Sequence, residues 1–266
     1  VYARTLSVPE GDGMVTVTRG EGDFLRLTLH FPHVKAWPSV IARVRRVFDL
    51  AADPALISAH LSTDPQLAPL VAQRPGLRAP GAWDGFELAV RAVLGQQISV
   101  VAARQLAGRL AEAYGSPVDD EAALALGLTR RFPTAAQLAG VDPADLPMPG
   151  VRARCLVALA ATAAAEPDLF GPRRSLEEAV TQLTALPGIG PWTAQYIAMR
   201  ALREPDAFPH ADLGLLRALE TAEGRPTPAQ LLARAEAWRP WRAYAASHLW
   251  AADPKVPQEP KHVRAA

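Results

Sequence analysis

Five residues in the second half of the chain, Pro187-Gly188-Ile189-Gly190-Pro191, permit few backbone paths, and they stand between two apolar segments. Upstream, Leu176 to Leu186 opens with Ser175 and has Glu178 three residues on, the spacing of a capping box at a helix start. Pro187-Gly188 stops that helix. Gly190 can supply a backbone shape that other residues avoid, and Pro191 suits the first turn of a new helix. The pattern predicts a helix, a hairpin of about four residues and a second helix. The free N–H groups opening the second helix suit an anion such as a backbone phosphate. An ordinary tight turn between helices has the same glycines, so the hairpin alone leaves both readings open. A phosphate-binding P-loop is excluded, because the Lys-Ser/Thr end is absent and no strand precedes it.

One helix and one loop further on, Phe208-Pro209-His210-Ala211-Asp212 leads into Leu213, Leu215, Leu216 and Leu219, another helical pattern. Asp212 stands where a helix N-cap belongs, a commonplace position for aspartate. Capping and catalysis are compatible, since the N–H groups of a helix start favour an anion, and an anion suits a developing cation. His210 reads as a loop histidine. No His, Cys, Asp and Glu set has metal-ligand spacing, and no Ser-His-Asp arrangement stands out. By themselves Trp192, Tyr196 and Trp250 read as core aromatics, and Gln96-Gln97 as solvated surface.

The 266 residues give room for one large domain or two modest ones, and 49% hydrophobic content is enough for substantial cores. Cys155 is the single cysteine, which excludes an internal disulfide framework and a cysteine-ligated iron–sulfur cluster and fits a reducing cytosol. No apolar run reaches the roughly 18–20 residues of a membrane span, and no signal peptide is visible. The chain begins at Val1 without Met, the start expected of a trimmed chain or of a piece of a longer protein. Net charge is +1, weak support for a nucleic-acid partner. Lysine occurs only at Lys35, Lys255 and Lys261, so the positive charge is nearly all arginine, which binds phosphate in bidentate fashion.

Residues 1–32 read as strands, clearest at Met14 to Thr18 and Leu25 to Leu29, with Gly20-Glu21-Gly22-Asp23 as the turn between them. A helix over Ser39 to Leu50 and short helices over 54–73 complete a small α+β unit, and 74–81 reads as a linker. From Asp84 on the expected elements are helical. Asp84 and Glu87 have capping-box spacing, Ser99 caps a helix to Tyr114, and further helices are expected over 151–165, 176–186, 191–203, 213–222, 228–237 and 241–251. The expected division is an α+β domain over 1–76, an all-α domain over 77–253 and a disordered tail over 254–266.

Together these residues resemble the helix-hairpin-helix DNA glycosylase superfamily, and within it the bacterial DNA-3-methyladenine glycosylase II (AlkA-type) branch. Leu186 to Gly190 is similar to its hairpin, and Phe208-Pro209 leading to Asp212 to its loop with the catalytic aspartate. The closer match rests on Leu94-Gly95-Gln96-Gln97, Trp192-Thr193-Ala194 and Pro240-Trp241-Arg242-Ala243-Tyr244 to Trp250. Residues 1–76 resemble that branch's N-terminal α/β-sandwich-like domain with its first strand or so missing.

The resemblance implies a soluble, monomeric cytoplasmic enzyme at the nucleoid, acting on double-stranded DNA with damaged bases. Asp212 matches the catalytic carboxylate, and Trp192, Tyr196 and Trp250 line the base pocket. Gly188, Ile189, Gly190 and Thr193 hold a DNA phosphate, and Gln97 matches the residue that wedges into the duplex gap. No cofactor is required, although a Na or K ion can sit on the hairpin backbone near Leu186 and Ile189. Relatives that also cut the strand carry lysine where this chain has Trp192, so hydrolysis of the glycosidic bond alone is expected. Uracil, an oxidised purine or a mispaired base are alternative targets within the superfamily. A non-catalytic DNA-binding module, or the glycosylase half of a larger fusion, are the alternatives beyond it.

Overall fold

The computed structural model describes residues 1–8 and 10–253. The tail expected over 254–266 lies outside the described residues. In chain order the elements are β1 (Tyr2–Val8), β2 (Gly11–Arg19), β3 (Leu25–His30), α1 (Trp37–Val47), α2 (Pro54–Leu61), α3 (Ala68–Gln73), α4 (Gly85–Leu94), α5 (Val100–Tyr114), α6 (Glu121–Ala125), α7 (Ala135–Ala139), α8 (Gly150–Ala165), α9 (Leu176–Thr184), α10 (Pro191–Ile197), α11 (Leu213–Ala218), α12 (Pro228–Ala235) and α13 (Arg242–Ala252). The architecture is α+β: a three-stranded antiparallel sheet, then helices.

The chain divides into two compact units. The first comprises Val1–Arg45, Asp84–Phe170 and Leu186–Gly188. Its sheet has the order β1-β2-β3, and the centre strand buries Met14, Val15 and Val17. The expected turn is present, closed by Gly20 N–H donating to the Phe24 carbonyl at 2.8 Å with Gly22 at a φ of 61°. Asp84 caps α4 by accepting from Glu87 N–H at 2.7 Å, but the reciprocal half of the box is not made. The Glu87 carboxylate instead takes Arg4 of β1 at 2.7 Å and Arg91 at 2.8 Å, because two guanidiniums are stronger partners than one amide. Ser99 caps α5 as expected. Val90, Val93, Leu94, Leu110, Leu138, Leu156 and Leu159 form the buried centre, each contributing about 1.5–3 kcal/mol.

The second unit comprises Arg46–Trp83, Gly171–Ala185 and the chain from Ile189 onward. Its core gathers Leu61, Leu67, Phe208, Leu215, Trp238 and Leu249. Ser175 caps α9 through Glu178 N–H, while the Glu178 carboxylate reaches back to Arg174 N–H at 3.0 Å. Thr227 and Gln230 complete a full capping box at α12. The continuous helix expected over 191–203 is interrupted. α10 ends at Ile197, the chain widens into a π-turn over Ala198–Leu202, and Arg203 closes it with a φ of 66°. The helix expected over 213–222 stops at Ala218, because Thr221 and Gly224 pair with each other and turn the chain.

Candidate active site

The turn between α9 and α10 reverses at Gly188, whose φ of 78° is a backbone region costly to residues with a Cβ. A Cβ there would lie 2.7 Å from Cys155 Sγ, so close approach to α8 requires glycine as well. Gly190 was expected to supply the unusual backbone; it has an ordinary extended conformation (φ −84°, ψ 174°), and a Cβ on it would meet nothing within 4 Å. Its place is the N-cap of α10. Gln96 donates to the Gly188 carbonyl at 3.1 Å, and Arg152 donates to the Gln96 carbonyl. Next to it, Gln97 is exposed, with a φ of 58°. Ile189 and Thr193, at 4% and 3% exposure, turn their side chains inward, leaving main chain as what they can present to a ligand.

Within the second unit Asp212 caps α11. Its Oδ1 accepts from Gly214 N–H at 2.8 Å and Leu215 N–H at 3.1 Å. The same oxygen accepts the Trp250 indole N–H at 2.8 Å, and Oδ2 accepts the Trp192 indole N–H at 2.9 Å. All four of these partners are donors, the complement of an acceptor-only carboxylate. Asp212 itself is only partly buried. Trp192 stacks on Tyr196 with ring centres 5.3 Å apart and planes within 6°, and Trp250 meets Tyr196 edge-on at 6.2 Å. The structure thus brings Trp192, Tyr196, Trp250 and Asp212 together.

Several side chains that position this group carry no local signature. Gln195 of α10 accepts from Phe208 N–H at 2.9 Å, fixing the loop that leads to Asp212. Arg242, 5% exposed, grips Asp206 of that loop with Nε 2.8 Å from Oδ1. Gly214 lies so close that a Cβ would stand 3.0 Å from Asp212 Oδ1, 3.1 Å from Asp253 Oδ2 and 3.2 Å from Trp250 Cδ1. Asp253 pairs with Arg217. The Arg217 guanidinium is pushed up first by that hydrogen bond and then, against burial, by the charges of Asp253, Asp212 and Glu220. The Arg200 guanidinium sits 5.8 Å from the Tyr196 ring centre and 5.4 Å from that of Trp250. Among the described residues, no group of three or more His, Cys, Asp and Glu is placed to hold a metal ion, and no helix is long and apolar enough to cross a membrane.

Comparison with known proteins gives two family matches. Residues 1–84 match the AlkA N-terminal domain, and residues 90–243 match the HhH-GPD superfamily base excision DNA repair protein. The chain is 45% identical over 252 residues to a probable bifunctional transcriptional activator/DNA repair enzyme AlkA of Mycobacterium tuberculosis, a match spanning 94% of this chain but 49% of that protein. It therefore spans about half the length of that relative. With the DNA-3-methyladenine glycosylase 2 of Escherichia coli it shares 38% identity over 266 residues, 97% of this chain and 88% of the relative. In fold it is similar to the 3-methyladenine DNA-glycosylase from Archaeoglobus fulgidus, with a TM-score of 0.81, 24% identity, and coverage of 94% of this chain and 86% of that one.

Proposed function

The chain belongs to the HhH-GPD superfamily of base excision DNA repair proteins, and on that premise we propose that it is a monofunctional DNA glycosylase that releases 3-methyladenine and related alkylpurines from double-stranded DNA. The observation that carries this reading is the Asp212 carboxylate, partly exposed and held by the indole N–H groups of Trp192 and Trp250 inside an aromatic cluster. The damaged nucleotide leaves the base stack at a cost of roughly a few kcal/mol, less where pairing is already weakened. Gln97 fills the gap it leaves, and the aromatic cluster receives the base. Main-chain N–H groups from Gly188 to Thr193 hold a phosphate.

Asp212 stabilises the cationic sugar that forms as the glycosidic bond breaks, as carboxylates do in glycoside hydrolysis. Its two oxygens are not equivalent. Oδ1 already accepts three N–H groups, whereas Oδ2 accepts one, so Oδ2 keeps a lone pair for the sugar or for the attacking water. Trp192 has no amine, which supports hydrolysis without a Schiff base and without strand cutting. The neutral carbonyls of Leu186 and Ile189 are the donor class a Na or K ion takes, and that ion would help neutralise the phosphate. The protein acts as a monomer in the cytoplasm. The test is release of free 3-methyladenine from methylated duplex DNA; a protein that binds the duplex and frees no base would be a non-catalytic module.

A further inference from the structure

The aromatic cluster carries a second fixed charge, and it is positive. Arg200 projects from the π-turn over Ala198–Leu202, a rare backbone form that recurs at functional sites. Its Nη1 donates to the Pro80 carbonyl at 2.8 Å, and its Nε is buried without a hydrogen-bond partner among the described residues. A buried donor left without an acceptor lowers stability, so hydrogen bonding alone does not account for the placement of this guanidinium, which is anchored at Pro80 and lies over the rings of Tyr196 and Trp250. Tyr196 already has Trp192 stacked on it at 5.3 Å. The cluster is thus bounded by an anion, Asp212, at the indole N–H groups and by a cation, Arg200, over two of the rings.

A ring attracts a cation through the negative charge of its face, and here the cation is built in. A base that arrives with its own positive charge meets repulsion from Arg200. A neutral base stacks on the same rings without it. We infer that Arg200 is a specificity-determining residue that disfavours cationic alkylpurines relative to neutral purine lesions at this site, an inference that rests on the glycosylase reading above.

The test compares single-turnover release of 3-methyladenine, cationic while attached to its sugar, with release of hypoxanthine, a neutral purine, from one duplex sequence. Arg200→Met keeps the stem and removes the charge, and should raise the 3-methyladenine to hypoxanthine rate ratio by about three- to tenfold. Arg200→Lys keeps the charge and should leave the ratio near that of the unaltered protein. Should Arg200→Met not fold, Arg200→Gln is read the same way. An unchanged or lower ratio overturns the inference, and so does equal loss on both lesions, the mark of a structural role. A shift in Arg200→Lys as large as in Arg200→Met also overturns it, since shape rather than charge would then decide. If the unaltered protein releases both bases, such results sink this inference alone; if it releases neither, the glycosylase reading fails and takes the inference with it.

Discussion

The indole nitrogen of Trp250 lies 2.8 Å from Oδ1 of Asp212, on the same oxygen that accepts the opening N–H groups of α11. One carboxylate oxygen thus joins the C-terminal part of α13 to the N-terminus of α11. The other oxygen is tied to α10 through Trp192. Three helices meet at one side chain, so its orientation is set by packing before any substrate arrives. Pre-set orientation of this kind is what transition-state stabilisation by a fixed charge requires.

Replacing Asp212 with Asn tests the charge. The amide oxygen can keep the three donors on Oδ1, but the amide nitrogen then faces the Trp192 N–H, donor against donor. Excision should fall by about 100-fold or more, while binding to damaged duplex persists. Single-turnover base release beside a gel-shift titration measures both, and near-normal excision would refute the assignment.

Trp192→Phe removes the N–H from Oδ2 and keeps a ring against Tyr196. Stacking survives, so substrate affinity should change little. The freed carboxylate loses one of its fixed directions, and the rate of the chemical step should drop by about tenfold, in line with one lost hydrogen bond to a charged group. A kcat change without a matching KM change is the expected signature. Loss confined to KM would mean that the indole serves base binding alone.

The hairpin, the Asp212 cap and the first aromatic residues were legible in the sequence because each rests on local chemistry: Pro and Gly placement, an acidic residue ahead of leucines, a tryptophan next to the turn. The boxes expected at Asp84 and Ser175 were legible only in their capping half. Glu87 left its box for Arg4, eighty-three positions away, a choice set by tertiary packing. The convergence of Trp192 and Trp250 on one carboxylate spans separations of 20 and 38 residues. The π-turn that carries Arg200 has no marker in a helical pattern that continues across it. Gly214 and the Arg217–Asp253 pair look like an ordinary helix residue and surface charges until α11 and α13 are packed.

The two hairpin glycines should separate folding from DNA binding. Gly188→Ala must adopt a φ of 78° and place a Cβ against Cys155 Sγ, so it should lose about 1–2 kcal/mol from the backbone alone and melt earlier. Gly190→Ala meets neither obstacle. Its melting temperature should fall less than that of Gly188→Ala, by the smaller cost of alanine at an N-cap, while affinity for duplex DNA weakens because the added methyl stands where a phosphate would approach. Equal thermal loss in both variants would count against that division.

Acid sensitivity should trace in part to Glu87. Burial pushes its carboxyl up, and the guanidiniums of Arg4 and Arg91 more than reverse that, leaving it below the ordinary carboxylate value. A carboxylate depressed in the fold stabilises it fully above the unfolded value near about 4.3, and that contribution is lost as pH falls through the folded value. Both partners are largely shielded, with side-chain exposures of 14% for Glu87 and 22% for Arg4. Glu87→Gln removes the charge while retaining an acceptor, so at pH 7 it should cost about 1–3 kcal/mol. Below the unfolded value of about 4.3 the gap between variant and parent should narrow, since the unfolded parent takes up a proton there that the folded carboxylate accepts only at lower pH. Urea unfolding midpoints measured from pH 3 to pH 8 give both curves, and a constant gap between them across that range would show that the ion pair does not stabilise the first unit.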